Sequence, residues 1–206
     1  MSLGPYEQTS PREPRLVVIA GPPGAGKGTQ CSQLATLPGV VHISIGESLR
    51  REIAIGSPIG TRVHACVEAG RLVPDVDVFE LIASRLVRHR TASAVLLDGF
   101  PRTIGQAEML ERLRPRAVGL VILLELPLGP ALQRLRARER ADDTDPNVVA
   151  ERILSYARDT KPVLDWYASR GLLAPIDASA APHRVTERIT EHLAAFGLDS
   201  PPKVDA

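Results

Sequence analysis

The sequence is short of the features that mark several protein classes. It has two cysteines in 206 residues, too few for a disulfide framework, so Cys31 and Cys66 are expected as buried thiols in helices, in a cytoplasmic protein. No apolar run approaches the ~20 residues a membrane-spanning helix needs. A formal net charge of +1 supplies no global pull toward nucleic acid or a membrane. The start, MSLGPYEQTSPREP, lacks an apolar signal core, so residues 1–14 read as a flexible polar leader. Residues 198–206 read as a tail, and no internal repeat is present. No obvious apolar stripe asks for a partner, so a monomer is expected. Lysine is scarce as well, three residues against 22 arginines. What is present is ordinary for a globular domain: 44% hydrophobic and 24% charged residues, on a chain long enough for one core.

Five short apolar runs, at 15–20, 40–43, 94–97, 118–124 and 172–176, are continuous rather than alternating, as in strands buried on both faces. Helical patterns fall between them. One begins inside GKGTQCSQLATL, and two follow at about 46–55 and 58–69. Residues 75–90 predict a helix with Asp75 as N-cap and basic residues at its end. Another covers about 128–139. Asp145 and Pro146 start a long helix, which Lys161-Pro162 bends or interrupts. The last covers about 183–196. Strand and helix in alternation predict an α/β fold, a parallel sheet with helices on both faces.

The first motif with chemistry is GPPGAGKGT, Gly21 to Thr29, between a strand and a helix. That context gives GxxxxGK its meaning as a phosphate-binding P-loop. Glycines let the backbone N–H groups turn inward, and the helix N-terminus adds partial positive charge. Lys27 places a compact ammonium where a planar guanidinium fits poorly. A Gly-rich turn with a surface lysine is the plainer reading, and the strand–helix context argues against it. Gly28 stands where most such loops have the Ser or Thr that holds Mg²⁺, and Thr29 comes one position late. The metal is therefore expected to be held by phosphates and water, with Thr29 and Asp98 acting through water.

The second motif is AVLLDGFPRTIGQ, residues 94–106. A buried strand runs into a carboxylate, with a guanidinium four residues on. If strand 94–97 lies beside strand 15–20, Asp98 reaches the P-loop at the carboxyl edge of the sheet. A carboxylate there orients water around Mg²⁺, Gly99 admits a ligand to the backbone, and Arg102 grips a second phosphate. Alone, Asp-Gly is as readily a turn.

Taken in order, GPPGAGKGTQC, ISIGESLRREI, GRLVPD, LLDGFPRTIGQA and RARERADD, with Arg152 beyond, resemble the adenylate kinase and nucleoside monophosphate kinase family from about residue 15 to 197. The resemblance implies a P-loop kinase domain over 15–197 with a five-stranded parallel sheet, an NMP-binding segment (44–73) and a lid. It implies transfer of the γ-phosphoryl group of ATP, with Mg²⁺, to a nucleoside monophosphate. By position it assigns Gly24, Ala25, Gly26, Lys27, Gly28 and Thr29 to the ATP phosphates, with Arg138 and Ala180 also on ATP. It assigns Arg50 to the acceptor phosphate and Arg71, Leu72 and Val73 to the base site. Ile45, Gly99, Phe100, Pro101 and Arg102 fall at the acceptor, and Gln106 at its base. Arg134, with Arg138, matches arginines near ATP, and Arg140 and Arg152 match those that grip the phosphates in transfer; Arg134 is counted among the catalytic residues with them. Asp142 and Asp143 match a carboxylate pair that orients them. Arg88, Arg112 and Arg136 read as solvated helix faces.

Three departures qualify the match. Only Glu139 separates Arg138 from Arg140, so 138–143 is a minimal lid, expected to shield ATP poorly. Ile45 matches neither the Thr usual in adenylate kinases nor the Ala usual in UMP/CMP kinases. One extra residue lies between Asp143 and Arg152. Since one residue turns a helix by ~100°, it is expected to be absorbed before the helix, at Asp145-Pro146. The foremost reading is ATP + AMP = 2 ADP. A UMP/CMP kinase and a nucleotide-binding module with weak or lost activity stay open. A GTPase or simple ATPase leaves DGFPRT unexplained.

Overall fold

The computed structural model describes residues 13–115, 117–137 and 145–198. All five apolar runs are strands: β1 (Arg15–Ala20), β2 (Val40–Ser44), β3 (Ala94–Asp98), β4 (Val118–Glu125) and β5 (Leu173–Asp177). They form one parallel sheet in the order β2-β3-β1-β4-β5. The chain leaves β1 for β2 and β3 on one side, then crosses to β4 on the other. The carboxyl edge beside β1 is thus where open α/β sheets take ligands.

Continuous apolar strands follow from burial on both faces. Leu16, Val18 and Ala20 face one layer, and Val17 and Ile19 the other. The first layer is closed by α2 (Ile45–Ala54), α3 (Pro58–Glu68), α4 (Asp75–Arg88), α5 (Ile104–Leu113) and α8 (Lys161–Ala168), through residues such as Leu49, Val63, Ile82, Leu110 and Leu164. The second is closed by α1 (Lys27–Leu34), α6 (Leu128–Arg136) and α9 (Pro182–Ala195), through Cys31, Leu34, Ala131, Val185 and Ile189. Among the described residues no helix is long and apolar enough to cross a membrane.

The helix starts show how local chemistry sets the elements. Ser57 accepts from the Gly60 N–H at 3.0 Å, with Pro58 in the first turn of α3. Asp145 caps α7 (Pro146–Ser155) by accepting from the Asn147 N–H at 2.8 Å. A π-helical turn, Tyr156–Thr160, separates α7 from α8. Pro162 has no N–H to continue the α-helical ladder at that point, so the expected interruption takes the form of a widened turn.

Two local readings need correction. Asp75 is the first residue of α4 rather than its cap. Pro74 holds the cap position, and the Asp75 carboxylate turns away to accept from Thr103 Oγ1 and Gln106 Nε2, at 3.1 and 2.8 Å. The helix α5 stands where the periodicity reading places none. Its signal is short: Thr103 caps it by accepting from the Gln106 N–H at 3.1 Å, a Thr-x-x-Gln start. At the ends of the domain, Arg114 holds Glu13 and the Pro14 carbonyl at 2.9 Å each, and Leu198 N–H donates to Leu193 O. The rest of the leader and tail, and residues 138–144, lie outside the described residues.

Helices α2 and α3 cross with little room between them. A Cβ placed on the buried Gly60 would overlap the Glu52 carbonyl and lie 2.6 Å from Ile53 N. Gly60→Ala is expected to force the two helices apart and lower stability by about 1–3 kcal/mol. Urea unfolding checks this, and an unchanged midpoint would refute so close a crossing.

Candidate active site

The loop after β1 closes by a hydrogen bond from Ala25 N–H to Pro22 O at 3.1 Å. Gly24 has φ +84°, and a Cβ there would run into the Ala131 backbone of α6, so only glycine fits both the turn and the approach. Lys27 opens α1, and its Nζ donates to the carbonyls of Gly21 at 2.7 Å and Pro22 at 2.9 Å. The ammonium is thus folded over the mouth of the loop, within reach of a phosphate.

The expected adjacency of β1 and β3 is present, with Ile19 paired to Asp98 and Ser44 of β2 paired to Asp98 from the other side. Asp98 therefore ends the central strand pair next to the P-loop. A Cβ on Gly28 would lie 3.8 Å from Asp98 Oδ2, so the missing side chain leaves room between carboxylate and loop. Burial alone would raise the Asp98 carboxyl. His42, Lys27 and Arg102 outweigh burial and hold it below the ordinary carboxylate range. At 3.6 Å the His42 Nε2–Asp98 Oδ2 contact is electrostatic, too long for a hydrogen bond.

Gly99 has φ +78°, and Arg102 folds back over it, its Nε donating to the Gly99 carbonyl at 2.9 Å. Burial presses the Arg102 guanidinium down in pKa, Asp98 opposes that, and the positive charges of Arg152 and Arg50 press it further. Three arginines from three elements therefore feel one another's charge. Nearby, Gln106 is buried with its amide held at both ends. Its Oε1 accepts from Arg102 N–H at 2.7 Å and its Nε2 donates to Asp75 Oδ1 at 2.8 Å. A backbone N–H can only donate and a carboxylate can only accept, so the amide has one orientation.

These groups line one cleft of about 350 Å³. Gly24, Gly26, Lys27 and Gly28 form its phosphate-loop wall. Ile45, Arg50, Arg71, Leu72 and Val73 come from the arm built of α2 and α3 and the turn after it. Asp98, Gly99, Phe100, Pro101, Arg102 and Gln106 form the floor, and Arg152 closes the side from α7. Helix α7, which starts at Pro146, brings Arg152 to the cleft. Four expected residues are not brought to the wall. Ala25 is buried in the core, Thr29 is exposed on α1, and Ala180 packs partly against the second core layer. Arg134 lies just outside, its guanidinium donating to the Ala178 carbonyl at 2.9 Å and reaching within 3.9 Å of a Cβ placed on Gly26. Arg138, Arg140, Asp142 and Asp143 lie outside the described residues. Arg88, Arg112 and Arg136 are exposed, as expected of solvated faces.

The sequence reading missed His42, Ser155, Tyr156 and Thr160, which also line the cleft. The last two belong to the π-helical turn, which no sequence pattern announces. His42 carries no motif, and the strand register is what places it here: alternate residues of one strand share a face, and Ser44, two residues on, pairs with Asp98.

Comparison with known proteins agrees with this geometry. The adenylate kinase family model matches residues 19–172. An adenylate kinase of Synechococcus sp. (strain WH7803) is 42% identical over 183 residues, covering 87% of this chain and 98% of that protein. One of Thermus thermophilus is 40% identical over 191 residues, covering 89% and 98%. One of Stenotrophomonas maltophilia (strain R551-3) is 38% identical over 180 residues, covering 84% and 96%. The chain belongs to the adenylate kinase family.

Proposed function

We propose that the protein transfers the γ-phosphoryl group of Mg·ATP reversibly to AMP, giving two ADP, as a cytoplasmic monomer. The observation that carries this is the charge of the cleft. Five cationic side chains, Lys27, Arg50, Arg71, Arg102 and Arg152, line it against two carboxylates, Glu47 and Asp98. That excess suits two polyphosphate anions held end to end, and phosphoryl transfer asks for positioning and charge neutralisation above all. Free thiols at Cys31 and Cys66 fit a reducing compartment, and the large exposed apolar side chains are scattered over several helices.

The ATP phosphates would lie along the Gly24–Gly28 backbone, with Lys27 exchanging its two carbonyl contacts for phosphate oxygens. Arg50, Arg102 and Arg152 would hold the acceptor phosphate from three sides, in line with the γ-phosphorus. Arg134 would act at the loop near Gly26, and Arg138 and Arg140 would complete the clamp. Mg²⁺ fits this site, because it favours oxygen ligands and keeps several waters, and the wall offers one carboxylate beside an open glycine. Asp98 would hold it through water, and when bound it neutralises the β- and γ-phosphate oxygens. No general base is required. With a minimal lid at 138–143, exclusion of water would rest largely on the closing arm.

Gln106 would read the acceptor base. Its locked amide has one N–H and one oxygen lone pair left over. Adenine offers the matching acceptor and amino donor on one edge, while guanine and uracil present the reverse pattern. Ile45, buried in the same wall without a hydroxyl, leaves that discrimination to Gln106.

An acceptor panel tests the reading directly. With Mg·ATP, AMP is expected to react fastest among AMP, CMP, UMP and GMP. Hydrolysis without acceptor is expected above roughly 1% of the transfer rate, because closure excludes water incompletely. Preference for CMP or UMP would move the protein to pyrimidine kinases. ATP binding without transfer to any acceptor would make it a binding module. Arg102→Ala is expected to lower kcat/KM by roughly 100-fold or more with the fold intact, and wild-type turnover would remove the central assignment. Asp75→Ala frees the Gln106 amide to flip, so the AMP-over-GMP ratio of kcat/KM is expected to fall by about tenfold or more. An unchanged ratio would show that the amide lock does not select the base.

A further inference from the structure

Beneath the phosphate loop lies a donor cluster of which phosphoryl transfer uses only Asp98. Cys31 is on the core face of α1, His42 on β2 and Asp98 at the end of β3. One donor atom from each lies within 4.8 Å of the others. His42 Nε2 is shut off from solvent and has no hydrogen-bond partner among the described residues. Buried polar atoms nearly always have a hydrogen bond, so an imidazole nitrogen left without one between a carboxylate and a thiol calls for an explanation.

The donor types supply one. Thiolate, imidazole and carboxylate together suit Zn²⁺, whereas Mg²⁺ takes oxygen. Zinc bonds of about 2.0–2.3 Å place tetrahedral ligands roughly 3.3–3.7 Å apart, so the three atoms need draw in by about 1.5 Å at most. His42 and Asp98 line the cleft while Cys31 is fully buried, so a metal ion has a path in and a closed inner end. A doubly positive ion, a thiolate, a carboxylate and a neutral imidazole sum to zero charge, which tolerates burial.

We propose that Cys31, His42 and Asp98 form a Zn²⁺ site that switches the enzyme off by withdrawing Asp98 from the phosphate cleft. Binding forms a zinc–sulfur bond as the Cys31 thiol gives its proton to solvent, and nothing is oxidised or reduced. The fourth position is left to water. Asp98 then no longer orders water at the phosphates, and its charge no longer balances Lys27 and Arg102. The metal site stands on geometry alone. Only the inhibition rests on the proposed kinase activity.

The test separates the two. Full-length wild type, Cys31→Ala and Cys66→Ser are loaded with Zn²⁺ or Co²⁺ alone, without nucleotide. Wild type and Cys66→Ser are expected to retain one metal per chain, with a sulfur-to-cobalt charge-transfer band. Cys31→Ala is expected to lose the band and bind zinc more weakly by more than the roughly 10–100-fold that an outer-shell change costs. Transfer measured in excess Mg·ATP and AMP should fall at least tenfold with zinc in wild type and hold in Cys31→Ala. No metal retained by wild type, or a band that survives Cys31→Ala, would overturn the site. Zinc bound at the site with transfer unchanged would overturn the inhibition. If no variant transfers phosphate under any condition, the kinase reading fails and the cobalt spectrum still decides the site.

Discussion

The parallel pairing of β1 with β3 is the constraint from which the site follows. With Ile19 in register with Asp98, the loop leaving β1 and the carboxylate ending β3 must emerge at the same edge of the sheet. That edge then carries a half-buried carboxylate facing a helix start and a lysine. The strands can hold it there because both their faces are packed, which leaves the register no freedom to slip. Every other cleft residue is placed relative to that pair.

Around it the protein concentrates like charge, which works against folding. The compensation is local and specific. Lys27 rests on two loop carbonyls and Arg102 on the carbonyl of Gly99, while Asp98 faces both. These contacts hold the cations in place before any anion arrives, so little reorganisation is left for the moment of transfer. Gln106 shows the same principle in neutral form. A helix-start carboxylate and a backbone N–H fix its amide, and an amide fixed at both ends can tell one base edge from its reverse. Asp98 is shared between the catalytic cleft and the Cys31–His42 pair beneath it, so one side chain couples the phosphate site to the core.

Much of this was legible in the chain itself. Continuous apolar runs marked all five strands, because burial on both faces leaves no polar alternation. GPPGAGKGT between strand and helix marked the phosphate loop, and DGFPRT marked the opposing wall. Other parts were not. The short helix α5 rests on one capping bond from Thr103 rather than on a strong apolar period. Asp75 read as a cap because its neighbours in sequence allow it, yet its partners, Thr103 and Gln106, lie about 30 residues away. His42 carries no motif.

The sequence by itself determined the strand–helix alternation, the phosphate loop and the set of arginines, because those depend on local propensity, glycine geometry and charge. Only the tertiary structure decided which arginines meet, which way the Gln106 amide points, and that Cys31, His42 and Asp98 come together. Those are relations between distant segments, set by the order and register of the strands, and no window of sequence contains them.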